Sequence, residues 1–291
     1  MNYGPLVFLA AFFALAASWF GFVLTPQVQL GRQQQETNSI NTAELYPQAR
    51  PGAAHQGLEV YRANGCAACH SQQVRQTGVV VDVVLTEAGT NLTAVVEALK
   101  MANADATPAG VAGGLPKAIL QSVTIDTADA VVKALKATSA KAEARVIPVG
   151  PDISRGWGLR RTVAADFLYD NPVMLGSLRV GPDLANVGSR LPDADRHLRH
   201  LYSPQADVKG SAMPSYRFLF ETRRIHGQPS PDALQPLNEF AAPAGYEIVP
   251  KPEARQLVAY LLSLHSDTPL FEAPMYAPVA PAPAPTNAPA K

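Results

Sequence analysis

Apolar positions are spread very unevenly along this chain. Pro5 to Leu24 reads PLVFLAAFFALAASWFGFVL without one charged residue. A helix of that length rises about 30 Å, the thickness of a bilayer core, so the run predicts a transmembrane helix over residues 1–25. Thr25 to Pro51 is polar and rich in Gln and Asn, which predicts a tether over residues 26–51. In His55 to Asn64, Leu58 and Tyr61 share one face of a short helix, and Gly65 suits its stop. The β-branched run Val79 to Leu85 predicts a strand, whereas Leu92, Val95, Val96 and Leu99 keep helical spacing. Gly110, Gly113, Gly114 and Pro116 mark a loose turn or short helix. Asp126 can cap a helix through Val131, Val132 and Leu135, with Asp129 in its first turn, and Lys141 to Val149 predicts a last strand. Strand, helix, helix, strand, helix, strand within about 70 residues is a compact α+β unit, placed at 79–150. Beyond it, a helix is expected around His197 to Tyr202. A terminal helix follows, with Pro252 in its first turn, Glu253 near its positive end and Leu257, Val258, Leu261 and Leu262 on its apolar face. Asp267 and Pro269 should end it. Phe271 to Lys291 is Ala/Pro-rich, so residues 267–291 are expected to form an extended tail without a core.

Length and charge narrow the picture further. The chain has 291 residues, enough for one or two domains, and 24 Lys and Arg balance 24 Asp and Glu. A net charge of zero gives no ground for a nucleic-acid partner. The N-terminal run has a rival reading as a cleaved signal peptide, with Ala14-Leu15-Ala16 as a small-residue site. Met1 to Gly4 carries no Lys or Arg, and the apolar run continues past Ala16, so an uncleaved anchor is the reading adopted. Arg32 is the first basic residue and follows the run, so charge does not set the orientation.

The chemistry is concentrated in Cys66-Ala67-Ala68-Cys69-His70. C-x-x-C-H is the attachment signature of a c-type haem: each thiol can bond one vinyl group, and the adjacent imidazole becomes an axial ligand. These are the only two cysteines in the sequence. A zinc site would need two further Cys or His ligands at suitable spacing, and none follows. A redox dithiol would have no need of His70. One covalently bound haem c is therefore the expected cofactor. An electron-transfer haem usually has a second axial ligand, and a thioether raises its potential. Of five methionines, Met1 is terminal, Met101 lies in the α+β unit and Met275 in the expected tail. Met213 in SAMPSY, beside Pro214, is the expected ligand, and Met174 in NPVMLG the expected packing residue. Removing residues 79–150 brings the separation of His70 and Met213 to that of an ordinary small haem domain. The insertion and the Met213 assignment therefore support each other. His197 and His200 in HLRH, flanked by Arg196 and Arg199, read as a solvated helix face rather than a metal site. Arg75 can face a haem propionate or solvent.

Three resemblances extend this reading. VDVVLTEAGTNLTAVVEALK and TADAVVKALKATSAKAEARV are similar to the C-terminal domain of the bacterial ribosomal stalk protein. That protein engages translation factors through basic residues on its first helices. Here Lys100 is the only basic residue of the corresponding stretch, so only the fold is carried over, as a spacer or docking surface. Gly181-Pro182-Asp183-Leu184 resembles the Gly-Pro-x-Leu turn of class I cytochromes c, which implies that the Pro182 carbonyl binds the second ring nitrogen of His70. GLEVYRANGCAACHSQQVR, DFLYDNPVMLGSLRVGPDLANVGSR and SAMPSY together resemble the mono-haem subunit II of cbb3-type cytochrome c oxidases. The inserted unit and the segment Glu221 to Pro250 depart from that family's pattern.

The resemblance implies a mainly α fold: an N-terminal transmembrane helix plus a class I cytochrome c domain at 52–78 and 151–266, interrupted by the small α+β domain. It implies a single-pass protein of the bacterial inner membrane, with its haem domain in the periplasm. It also implies electron transfer from a periplasmic donor or a neighbouring cytochrome c subunit toward the haem–copper subunit, with no catalytic centre in this chain. A free-standing anchored cytochrome c, an open-iron haem sensor or peroxidase, and a binding function of the insert are the alternatives.

Overall fold

The N-terminal apolar run is helical from its start. Helix α1 (Gly4–Trp19) passes through a π-helical turn (Phe20–Leu24) into α2 (Thr25–Gly31). The span Gly4–Gln29, 26 residues with none buried, is long and apolar enough to cross a membrane. The π turn lies directly before Pro26, which has no N–H to offer a carbonyl one turn back. Thr25 Oγ1 donates to the Phe20 carbonyl at 2.9 Å, supplying a bond in that turn. The computed structural model describes residues 3–32, 35, 45–50, 52–101, 111, 114–234 and 241–275.

The expected tether is altered at both ends. The helix runs on to Gly31, and residues 45–50 dock on the following domain. Tyr46 donates to Asp166, and Arg50 pairs with Asp170. Arg160, with no exposed surface, donates to both oxygens of Asp166 (2.8 and 3.1 Å), to Tyr46 Oη (3.1 Å) and to the Thr268 carbonyl (2.6 Å). A buried guanidinium is tolerated when its donors are met in this way. Burial and the Asp166 carboxylate together push the Tyr46 phenol above its ordinary range, so it stays protonated and can donate.

Helix α3 (Ala53–Ala63) follows, close to the span expected from Leu58 and Tyr61. The insert comprises β1 (Gly78–Glu87), α4 (Leu92–Met101), β2 (Lys117–Val123), α5 (Ile125–Lys136) and β3 (Lys141–Val149). The second helix expected before β2, with Gly110 and Gly113, falls outside the described residues. The cap of α5 is Thr124 rather than Asp126: its Oγ1 accepts the Thr127 N–H at 3.3 Å, and Asp126 occupies the first turn. The sheet is antiparallel in the order β2-β1-β3. Val81, Val83 and Leu85 of β1 pack with Val95 and Leu99 of α4 and with Val131 and Leu135 of α5.

Beyond the insert come α6 (Ala194–Tyr202), β4 (Phe220–Arg224), β5 (Tyr246–Pro250) and α7 (Pro252–Leu262). A second core joins Leu58 and Tyr61 of α3, Leu198 and Leu201 of α6, and Leu257 and Val258 of α7. It shares no residue with the core of the insert. Strands β4 and β5 pair from Phe220↔Pro250 to Arg224↔Tyr246, a hairpin absent from the mainly α expectation. Phe220 and Ile248 enter the core from it. The expected tail is corrected as well. Helix α7 stops at Leu262, and Leu270, Ala273 and Met275 are then buried, the first two beside Val163.

Helices α3 and α7 cross at Gly57. A Cβ there would lie 1.9 Å from the Gln256 carbonyl oxygen and 2.8 Å from Tyr260 Cβ. The obstruction is backbone, which cannot swing aside. Gly57→Ala would gain about 1 kcal/mol of helix propensity. It would lose about 1–3 kcal/mol to overpacking, and the immobile carbonyl favours the upper end. We expect a net loss of about 1–2 kcal/mol, read as a lowered midpoint in chemical unfolding of the detergent-solubilised chain.

Candidate functional site

The pentad begins where α3 ends. Gly65 turns the chain with φ of +66°, and Cys66–Ala68 form one 3-10 turn. The N–H groups of Cys69 and His70 both reach the Cys66 carbonyl, at 3.1 and 2.9 Å. Both sulfurs and the imidazole therefore leave one tight turn. Cys66 is half-buried and Cys69 exposed. Burial, with a smaller contribution from Cys69, pushes the Cys66 thiol up to about 11. A reactive dithiol needs the opposite shift, so the environment does not favour the redox-pair reading.

A strap at residues 175–184 is laced to this turn. Gln72 N–H donates to the Leu175 carbonyl (2.9 Å), Ser177 N–H to Ala67 (3.0 Å), Gly181 N–H to Cys69 (3.0 Å) and Leu184 N–H to Ser71 (2.8 Å). Between these bonds, Leu178 and Val180 remain 59% and 62% exposed. Both are exposed apolar side chains on the strap whose main chain is bonded to the pentad.

His70 Nδ1 lies 2.8 Å from the Pro182 carbonyl oxygen. A carbonyl only accepts, so Nδ1 is the donor, and in the neutral imidazole the lone pair then lies on Nε2. Gly181 makes this approach possible: a Cβ there would stand 2.2 Å from His70 Cε1. Met213 is half-buried and borders the same core as Cys66, Ala67, Leu184 and Tyr216. Met174, 8% exposed, lies inside that core as packing. The donor set fits a covalent haem: two thiols, an oriented imidazole with Nε2 free, and a thioether bordering the same core.

The solvated-face reading of His197 and His200 is corrected. His197 is buried and its Nε2–H donates to the Leu191 carbonyl at 2.8 Å, while His200 is half-buried with Nδ1 3.5 Å from Asp207. Burial holds both imidazoles below the ordinary histidine value. Arg75 is paired with Asp152 at 3.3 Å and is 57% exposed. Asp152 has no exposed surface, and it also accepts the Arg75 N–H (2.7 Å) and Arg179 (2.6 Å). Burial alone would raise its carboxyl, but the bonds to Arg179 and Arg75 outweigh burial and hold it below the usual carboxylate value. This cluster sits at the root of the insert, where Gly78 pairs with Val149 and the Thr77 N–H reaches Val149 O at 2.9 Å.

Residues 146–264 match the family model described as cytochrome C oxidase, mono-heme subunit/FixO. The FixO-like stretch begins as β3 ends, and it contains Pro182, Asp183 and Met213. The pentad and the N-terminal helix precede it. No curated protein matches the chain. The likeness of residues 79–150 to the stalk protein rests on sequence alone.

Sequence reading passed over Asp183, Gly181 and Arg179 as site residues. Asp183 and Gly181 stood inside a quoted motif, but their partners are set by the fold. Gly181→Ala should force the imidazole away from Pro182. We expect the structure of that variant to show the Nδ1–O separation beyond the hydrogen-bonding limit of about 3.5 Å, and an unchanged separation would refute the packing argument.

Proposed function

We propose that this chain is the electron-transfer subunit of a cbb3-type cytochrome c oxidase, anchored by its N-terminal helix in the bacterial inner membrane with its haem domain in the periplasm. The observation that carries the reading is the bond of His70 Nδ1–H to the Pro182 carbonyl, which leaves Nε2 free as a ligand. The FixO match over the stretch that contains Pro182 and Met213 supports it. Cys66 and Cys69 would hold one haem c by thioether bonds, and His70 and Met213 would hold its iron. Bound there, the haem supplies reversible one-electron chemistry at iron.

The protein's own residues bind, orient and shield. The 3-10 turn fixes both sulfurs and the imidazole on one short rigid segment. Pro182 fixes the ring orientation and raises the donor strength of Nε2. Leu178 and Val180 offer apolar cover. No general acid, base or nucleophile is required of this chain. Its partners are a donor cytochrome on the periplasmic side, other cytochrome c subunits, and the haem–copper subunit that reduces oxygen. The insert, with its own core and its two ends paired at Gly78 and Val149, is a spacer or docking surface outside the electron path.

The first test is purification of the chain from membranes, followed by denaturation. Pigment should remain bound to the polypeptide and be lost in Cys66→Ala and Cys69→Ala. The oxidised protein should show the thioether–iron band, and Met213→Ala should abolish it. A band that survives this change would remove Met213 as ligand. Co-purification with a multi-span haem–copper subunit is expected, and a pigmented chain without that subunit would favour a free-standing cytochrome c. Replacing residues 79–149 by a short linker should leave haem attachment intact, since the two ends of the insert are already adjacent.

A further inference from the structure

The Pro182 carbonyl can orient His70 only if it is itself held still. Proline gives its own residue a rigid φ, but it does not fix where the turn sits relative to the pentad. That task falls to the next residue. Asp183 has no exposed surface, and its carboxylate meets three donors on two segments. Asp183 Oδ2 accepts the Ser71 hydroxyl at 2.6 Å and the Gln73 N–H at 2.8 Å, both on the segment that leaves His70. Asp183 Oδ1 accepts the Ala185 N–H at 2.9 Å, closing the turn on itself.

Two arginines complete the clamp. Arg190 donates to the Asp183 main-chain carbonyl at 3.0 Å, and Arg179 approaches Asp183 Oδ2 at 3.5 Å while bonding Asp152 at 2.6 Å. The Asp183 main chain is therefore fixed from one side and its carboxylate from the other. Its amide nitrogen belongs to the same peptide group as the Pro182 carbonyl, so a fixed Asp183 fixes that oxygen.

We propose that Asp183 is a positioning residue for the His70–Pro182 bond, acting through Ser71 and Gln73 to lock the turn against the segment that carries the imidazole. The proposal rests on the reading of Cys66–His70 as a haem site. Asp183 does not touch the reacting centre. Its effect is on how firmly the Nδ1 proton is held, and through that on the basicity of Nε2. A well-held proton makes the imidazole a stronger donor, which favours the oxidised metal and lowers the potential. Loosening the clamp must raise the potential.

Asp183→Asn and Ser71→Ala test this in the full-length pigmented protein. Asp183→Asn removes a charge as well as an acceptor, and loss of a nearby negative charge would itself raise the potential. Ser71→Ala removes one clamp bond and leaves every charge in place. The readouts are the midpoint potential and the hydrogen-exchange rate of the His70 Nδ1–H resonance. We expect the potential to rise in both variants, and Nδ1–H exchange to accelerate about tenfold, the factor equivalent to about 1.4 kcal/mol of hydrogen bonding. A wild-type potential and exchange rate in Ser71→Ala would overturn the clamp, even if Asp183→Asn shifts the potential, because that shift would then be one of charge alone. If Asp183→Asn does not mature, Ser71→Ala decides the matter by itself. If the wild-type chain holds no pigment after denaturation, the haem-site reading itself has failed, and that outcome is distinct from unchanged variants of a pigmented wild type.

Discussion

One hydrogen bond spans 112 positions of sequence and organises the surroundings of the pentad Cys66–His70. His70 Nδ1 reaches the Pro182 carbonyl, and the neighbouring features serve that contact. Gly181 lacks the Cβ that would strike the imidazole. The strap runs beside the pentad through four main-chain bonds, and Asp183 pins it to Ser71 and Gln73. A free histidine side chain can carry its proton on either ring nitrogen and turns freely about its bond to the chain. Here the tautomer is chosen by an acceptor that has no proton to give.

The insertion of a whole α+β unit between the two halves of this site is compatible with that contact for a geometric reason. The cost of closing a loop grows slowly with its length, and it depends on how far apart the ends must be held. The first residue of β1 pairs with the last of β3, so the unit enters and leaves at one point. The core of the insert and the core beneath the pentad share no residue. Asp152, gripped by Arg75 from before the insert and by Arg179 from the strap, ties that point to the site.

Charged residues do a second kind of holding around Arg160. Arg160 gathers Tyr46, Asp166 and the Thr268 carbonyl around one guanidinium, joining residue 46, just before α3, to the segment that follows α7. Arg50 and Asp170 add a second pair. Tyr46 and Arg50, just before α3, are therefore docked rather than free, because their polar groups have buried partners. The same reasoning applies to Leu270 and Ala273, whose neighbours in sequence look like the start of a tail.

Local pattern alone determined the N-terminal helix through an unbroken apolar run, β1 through a β-branched run, and α3, α4, α5 and α7 through apolar residues at helical spacing. It also made the pentad Cys66–His70 legible as a motif, since adjacent sulfurs and imidazole need no long-range contact to be recognised. Tertiary structure alone decided the β4–β5 hairpin, the docking of residues 45–50 and 268–275, and the burial of His197. It also decided that Asp183 faces Ser71 and Gln73 rather than water. Those outcomes depend on which distant group supplies a donor, an acceptor or an apolar neighbour. Asp183 and Asp126 are the same residue type, yet one is a fully buried acceptor and the other lies in an exposed first turn. Composition cannot separate them, because the difference lies in the surroundings and not in the side chain.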